Sequence, residues 1–191
     1  GLTEQAREAV QQARLVANPG CYPTSAILPL APLLAAGVIA AEGIIIDAKS
    51  GVTGAGRSAS QANLFTEIDG GIRAYGIAAH RHSPEIEQSL SWAAKKPVSV
   101  TFTPHLMPMN RGILSTMYVT IAEGKTVDDV REILEKTYAQ EAFVHVLPAG
   151  ALPATHQVRG TNDCVMNVFA DRVAGRAIIV SAIDNLVKGA S

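Results

Sequence analysis

Cysteine is scarce in this chain, with 2 residues in 191, and that scarcity excludes the disulfide framework of a small secreted domain. An excess of charge is also missing: 16 Lys and Arg against 17 Asp and Glu leave a net charge of -1, with no basic cluster to attract nucleic acid or another polyanion. No apolar run approaches the ~18 residues of a helical membrane span, and the start carries no signal-like pattern. These absences predict a reducing, cytoplasmic setting with no nucleic-acid and no membrane partner. Present instead are 48% hydrophobic and 17% charged residues, enough for one substantial core in a single domain covering residues 1–191.

Punctuation and periodicity then divide the chain. Leu15-Val16-Ala17 predicts a short strand, Pro19-Gly20 a turn, and Pro23 the first turn of a helix that runs to Ala36, where Gly37 stops it. Pro29 and Pro32 are expected to kink that helix. The apolar run Gly43 to Ala48 predicts a strand buried on both faces, emptying into a glycine-rich loop. Ser83 should cap a helix with Pro84 in its first position. Thr126 opens a helix whose stripe is Val127, Val130, Ile133, Leu134 and Tyr138, and Thr3 to Arg14 reads as a polar helix. Strands are expected at Val98–Thr103, Gly112–Ala122, Phe143–Leu147, Cys164–Ala170 and Arg176–Ile183, the last two joined near Ala174-Gly175. The fold class that follows is α+β, a mixed and largely antiparallel sheet layered with helices.

Four stretches carry candidate chemistry. Cys21 lies at a helix start, where free N–H groups favour the thiolate and lower the thiol pKa, making a nucleophile; the alternative is a buried structural cysteine. Ser50-Gly51-Val52-Thr53-Gly54-Ala55-Gly56-Arg57 could wrap an anion with backbone N–H groups, Ser50 and Arg57, or be an ordinary loop. It lacks the G-x-G-x-x-G order of a dinucleotide fingerprint. In His80-Arg81-His82-Ser83-Pro84-Glu85, two imidazoles on one side of an extended segment lie near Glu85, which could orient one as a general acid and base; solvated surface histidines are the alternative. An H-x-H metal site would need further ligands that no ordered His and Cys set supplies. Arg111, between two strands, could bind a carboxylate or phosphate in forked geometry or be a plain surface charge. Cys164 and His145 read as structural.

Six motifs together resemble the N-acetyl-gamma-glutamyl-phosphate reductase family. They are Pro19-Gly20-Cys21-Tyr22-Pro23-Thr24, Ser50 to Arg57, His80-Arg81-His82-Ser83-Pro84-Glu85-Ile86, Phe102-Thr103-Pro104-His105-Leu106, Arg111-Gly112-Ile113-Leu114, and Asp184-Asn185-Leu186-Val187-Lys188-Gly189. The resemblance implies the catalytic and dimerisation domain shared with glyceraldehyde-3-phosphate and semialdehyde dehydrogenases, in a homodimer or homotetramer. It also implies an NADPH-dependent reduction of N-acetylglutamyl phosphate through a cysteine thioester, with no metal. The NADP-binding Rossmann domain is then absent from this chain, so no cofactor is expected bound to it and no cofactor-binding residue is assigned. Under the same resemblance Cys21 is the nucleophile and His80 or His82 the acid and base, with Glu85 orienting one ring. Ser50, Gly51 and Arg57 would hold phosphate, and Arg111 the substrate's carboxylate or phosphate. A cysteine acyl hydrolase and a silent dimerisation module of the same fold remain as alternatives.

Overall fold

Alternating apolar residues build the centre of the molecule. The structure, a computed structural model, describes residues 1–57 and 60–190. Seven strands form one sheet: β1 (Ile44–Gly51), β2 (Arg73–Ala74), β3 (Val100–Met107), β4 (Ile113–Thr120), β5 (Val144–Val146), β6 (Cys164–Ala170) and β7 (Arg176–Ile183). Their order is β2-β3-β1-β4-β7-β6-β5. β1/β3 and β5/β6 pair in parallel, while β2/β3, β1/β4, β4/β7 and β6/β7 are antiparallel. This is the mixed, largely antiparallel sheet that the sequence predicts. The helices are α1 (Thr3–Gln12), α2 (Cys21–Ala35), the single turn α3 (Phe65–Ile68), α4 (Ser83–Ala94) and α5 (Val127–Tyr138). Among the described residues no helix is long and apolar enough to cross a membrane.

Several boundaries differ from expectation for identifiable reasons. Leu15-Val16-Ala17 forms no strand; Leu15 is 90% exposed and no neighbouring strand pairs with the segment. β1 is buried on one face only, Ile44, Ile46 and Ala48 pointing inward while Ile45 is exposed. β3 continues through Pro104 to Met107 because the proline's missing N–H falls on the side of β2, a two-residue edge strand, where its carbonyl still accepts from the Tyr75 N–H at 3.1 Å. α4 starts one residue early: Ser83 is already helical and its side chain makes no cap. α5 fits the reading, with a reciprocal capping box between Thr126 and Asp129 and Val130, Leu134 and Tyr138 in the core.

α2 is the organising helix. Thirteen of its residues, Tyr22 to Leu34, are buried, so it has no solvent side. It runs unbroken through Pro29 and Pro32. Each proline deprives the carbonyl four residues earlier of its helical donor, leaving Ser25 O and Leu28 O in need of partners in the interior. Ser181 Oγ on β7 donates to Ser25 O at 2.6 Å, and Tyr138 Oη on α5 donates to Leu28 O at 2.5 Å. Ser25 Oγ shares a 2.7 Å bond with Ser115 Oγ on β4. The prolines thus turn two main-chain acceptors sideways into links to the sheet and to α5.

Ser181→Ala is expected to destabilise the protein by about 1–3 kcal/mol, because Ser25 O loses a buried donor. Pro29→Ala in that background supplies an amide to the same carbonyl and should recover part of the loss. Chemical denaturation of parent, single and double variants reads both effects.

Candidate active site

Cys21 is the first helical residue of α2, and Gly20 its N-cap. Thr24 closes the turn, its N–H and Oγ1 both donating to Gly20 O at 2.9 and 3.0 Å. From α4, Glu85 Oε1 accepts the Gly20 N–H at 2.9 Å. Glu85 therefore holds the backbone in front of the thiol and, contrary to expectation, orients neither histidine. Gly20 permits a close approach: a β-carbon there would lie 2.3 Å from His82 Nε2.

The histidine segment is not extended, since His82 is in the helical region at φ -83° and ψ -13°. It still brings both rings together, with centroids 4.8 Å apart, against Tyr22. The His82 N–H donates to His80 Nδ1 at 3.1 Å, which leaves the His80 proton on Nε2. His82 is 8% exposed and its Nδ1 is buried without a partner. Burial, then the His80 and Arg81 charges, push the His82 pKa down to about 4, and burial with Arg81 lowers that of His80. Both rings are neutral near pH 7.

The thiol also departs from expectation. Burial raises the Cys21 pKa and outweighs the opposing pull of the Tyr22 and Cys21 backbone and of Arg81, while Glu85 adds to the rise. The resting pair is a thiol beside neutral imidazoles, not a thiolate.

These groups open onto a cavity of about 250 Å³, lined further by Tyr75, Arg73, Arg81, Asn63, Ser50 and Gly51. Tyr22 and Tyr75 share a 2.8 Å hydroxyl contact at its wall. Of the expected anion ligands, Ser50 and Gly51 reach the cavity but Arg57 and Arg111 do not line it. Arg57 is exposed. Arg111 Nη1 lies 3.4 Å from Asp184 Oδ2. Three of the loop amides are occupied, the Gly51, Val52 and Thr53 N–H donating to the carbonyls of Gly112, Met109 and Asn110, while Gly54 and Ala55 of the same loop line the cavity. Arg73 and Arg81 supply the positive charge instead. Arg81 sits inside the histidine motif, and Arg73 and Tyr75 lie in and just after the two-residue edge strand β2, a signal too short to separate from loop. Among the described residues no group of His, Cys, Asp and Glu is arranged to hold a metal ion.

Residues 21–185 match the family profile described as the dimerisation domain of semialdehyde dehydrogenase. The whole chain is 61% identical to a probable chloroplastic N-acetyl-gamma-glutamyl-phosphate reductase of Arabidopsis thaliana, covering 48% of that protein. It is 59% identical to the N-acetyl-gamma-glutamyl-phosphate reductase of Rhodospirillum rubrum, covering 54% of it. The chain thus spans about half the length of the curated relatives it matches. Aspartate semialdehyde dehydrogenase II from Vibrio cholerae superposes with a TM-score of 0.73 at 16% identity, covering 98% of this chain and 62% of that one. A probable aspartate-semialdehyde dehydrogenase from Pseudomonas aeruginosa gives a TM-score of 0.74 at 15% identity, over 97% of this chain and 62% of that one. At such identities the superpositions speak for the fold.

Two measurements check the electrostatics. Iodoacetamide should label Cys21 with a pH midpoint above the ordinary thiol range, and leave Cys164, buried and pushed up to about 12, unlabelled in the native protein. Because the folded His82 pKa is depressed, its contribution to stability is full above about 6.5 and is lost as pH falls toward about 4. His82→Gln should flatten the acid limb of the denaturation profile over that interval.

Proposed function

The chain belongs to the semialdehyde dehydrogenase dimerisation-domain family, and on that premise we propose that it is the catalytic and dimerisation domain of an NADP-dependent reductase. The reaction is conversion of N-acetyl-L-glutamyl 5-phosphate to the 5-semialdehyde and phosphate, a step of arginine biosynthesis. One observation carries the reading: Cys21, at the amino end of α2, shares a cavity with two neutral histidine rings and two arginines. The identity to reductases named for this substrate supports the choice of acyl phosphate.

The chemistry of this chain's residues follows from their protonation. A neutral thiol must lose its proton as it attacks, and a neutral imidazole can take it. His82 suits that role, since its Nε2 lies over Gly20 beside the cysteine. His80, with Nδ1 occupied, presents Nε2–H as a donor toward oxygen on the reacting carbon. Sulfur bonds to the acyl carbon, the carbon–oxygen bond to phosphate breaks, and phosphate leaves with its charge met by Arg73 and Arg81. The products are a thioester on Cys21 and inorganic phosphate. Ser50 and Gly51 line the cavity, while Arg57 and Arg111 lie outside its lining.

β1 passes into a 3-10 turn at Val52–Ala55, where a dinucleotide-binding motif would open a phosphate-binding helix. NADPH, when bound in the full-length reductase, would supply the hydride that completes the reduction. A homodimer or homotetramer in a reducing cytoplasmic compartment fits the dimerisation-domain family and the two free thiols.

Mixing the chain with N-acetylglutamyl phosphate and no cofactor should release one equivalent of phosphate in a burst and leave an acyl adduct on Cys21, seen by peptide mass spectrometry. Cys21→Ala should abolish both. Continuous phosphate release with free N-acetylglutamate would make the protein a hydrolase, and no release would leave the silent-module reading.

A further inference from the structure

The turn after β7 touches the nucleophile. A β-carbon on Gly189 would lie 2.8 Å from Cys21 Cβ and 3.1 Å from Asn185 Cα, so glycine lets residues 184–189 close directly on the thiol-bearing carbon. Both ends of this turn are fixed by buried charge. At its start Asp184, fully buried, accepts N–H bonds from Gly160 at 2.7 Å, Leu186 at 2.8 Å and Val187 at 3.2 Å, and faces Arg111. Asn185 bridges the Gly112 N–H at 2.7 Å and Thr53 Oγ1 at 2.9 Å. At its far end Lys188 Nζ pairs with the Glu4 carboxylate of α1, the two side chains 6% and 7% exposed. Lys188 also lies 5.9 Å from the Phe143 ring centroid.

A buried ion pair of this kind costs desolvation and is weak evidence for stability, while fixing geometry is one recognised use for it. Its neighbour here is the glycine pressed against Cys21. We infer that Lys188 and Glu4 are positioning residues: their ion pair holds the Gly189 turn as a wall that sets where Cys21 stands and how far it is shielded from water. This assignment rests on the reading of Cys21 as the nucleophile that is acylated.

Freeing the wall has opposite effects on two reactions of one sulfur. Less shielding favours the thiolate, so small reagents react faster, whereas acyl transfer needs alignment that a displacement of an ångström degrades. Removing one partner alone strands a charge in the interior, so the working variant is Glu4→Gln with Lys188→Met. In the folded double variant, Cys21 alkylation should rise by about threefold or more, with its pH midpoint moving down, while Cys164 stays unlabelled. Acylation by N-acetylglutamyl phosphate should fall by about tenfold. Gly189→Ala, which leaves the ion pair intact, should also slow acylation by displacing the cysteine. Parent-like alkylation and acylation in a folded double variant, or in Gly189→Ala, would overturn the inference, as would simultaneous labelling of both cysteines, which reports a general opening. If the parent itself is not acylated, the proposed reaction fails, and the alkylation comparison still decides the wall.

Discussion

Two backbone carbonyls of α2, Ser25 O and Leu28 O, are denied their helical donors by Pro29 and Pro32 and must be satisfied by hydroxyls from other elements. A helix buried on every side cannot let water do this. The donors are fixed by the sheet and by α5, so α2 is tied in position along its length, and the residue at its amino end inherits that position. Cys21 is the end of a helix whose middle is bonded to β7, β4 and α5, which is a more rigid mount than a loop provides. The site therefore depends on packing some distance from it.

That mounting has an electrostatic consequence. A helix amino end favours a thiolate, and the Cys21 and Tyr22 backbone does pull in that direction, yet the same burial that fixes α2 pulls harder the other way. Burial acts on the neighbouring histidines with the opposite sense, favouring the neutral base. Desolvation thus acts on acid and base together so that the proton rests on sulfur. A resting ion pair would have needed a better solvated or more strongly positive surrounding than one exposed arginine beside the thiol supplies.

The strands β6 and β7, the helix α5 and the whole span of α2 are legible in the sequence because each is set by local signals: period-2 or period-3.6 patterning, a capping box, proline near the start and Gly37 at the stop. Cys21, His80 and His82 are legible as a group because few residue types carry nucleophilic or proton-transfer chemistry. Glu85 is misread for a different reason. Its proximity to the histidines is local, but its partner, Gly20, is 65 positions away and offers nothing but a backbone N–H. Arg111 and Asp184 present the same difficulty, since a forked arginine looks alike whether it faces a substrate or a carboxylate folded in from the far end of the chain. Long-range pairing sets the partner at these positions, and no local pattern records it.

The topology gives the cavity its place. β1 and β3 run in parallel, so their carboxyl ends, Ser50-Gly51 and Leu106, arrive at the same edge of the sheet. Ligand sites in sheets with parallel pairs favour that edge, where strands end and loops diverge. α2 delivers its amino end, and Cys21, to this edge as well, while the chain between β1 and β3 supplies Arg73, Tyr75, His80, Arg81 and His82 before α4 begins. One crossover connection therefore contributes nearly every polar group facing the thiol. The antiparallel pair β4 and β7 carries Ser115 and Ser181, which bond α2 at Ser25 and do not line the cavity. The parallel half of the sheet assembles the polar groups that line the cavity, and the antiparallel half holds the helix that presents the sulfur to them.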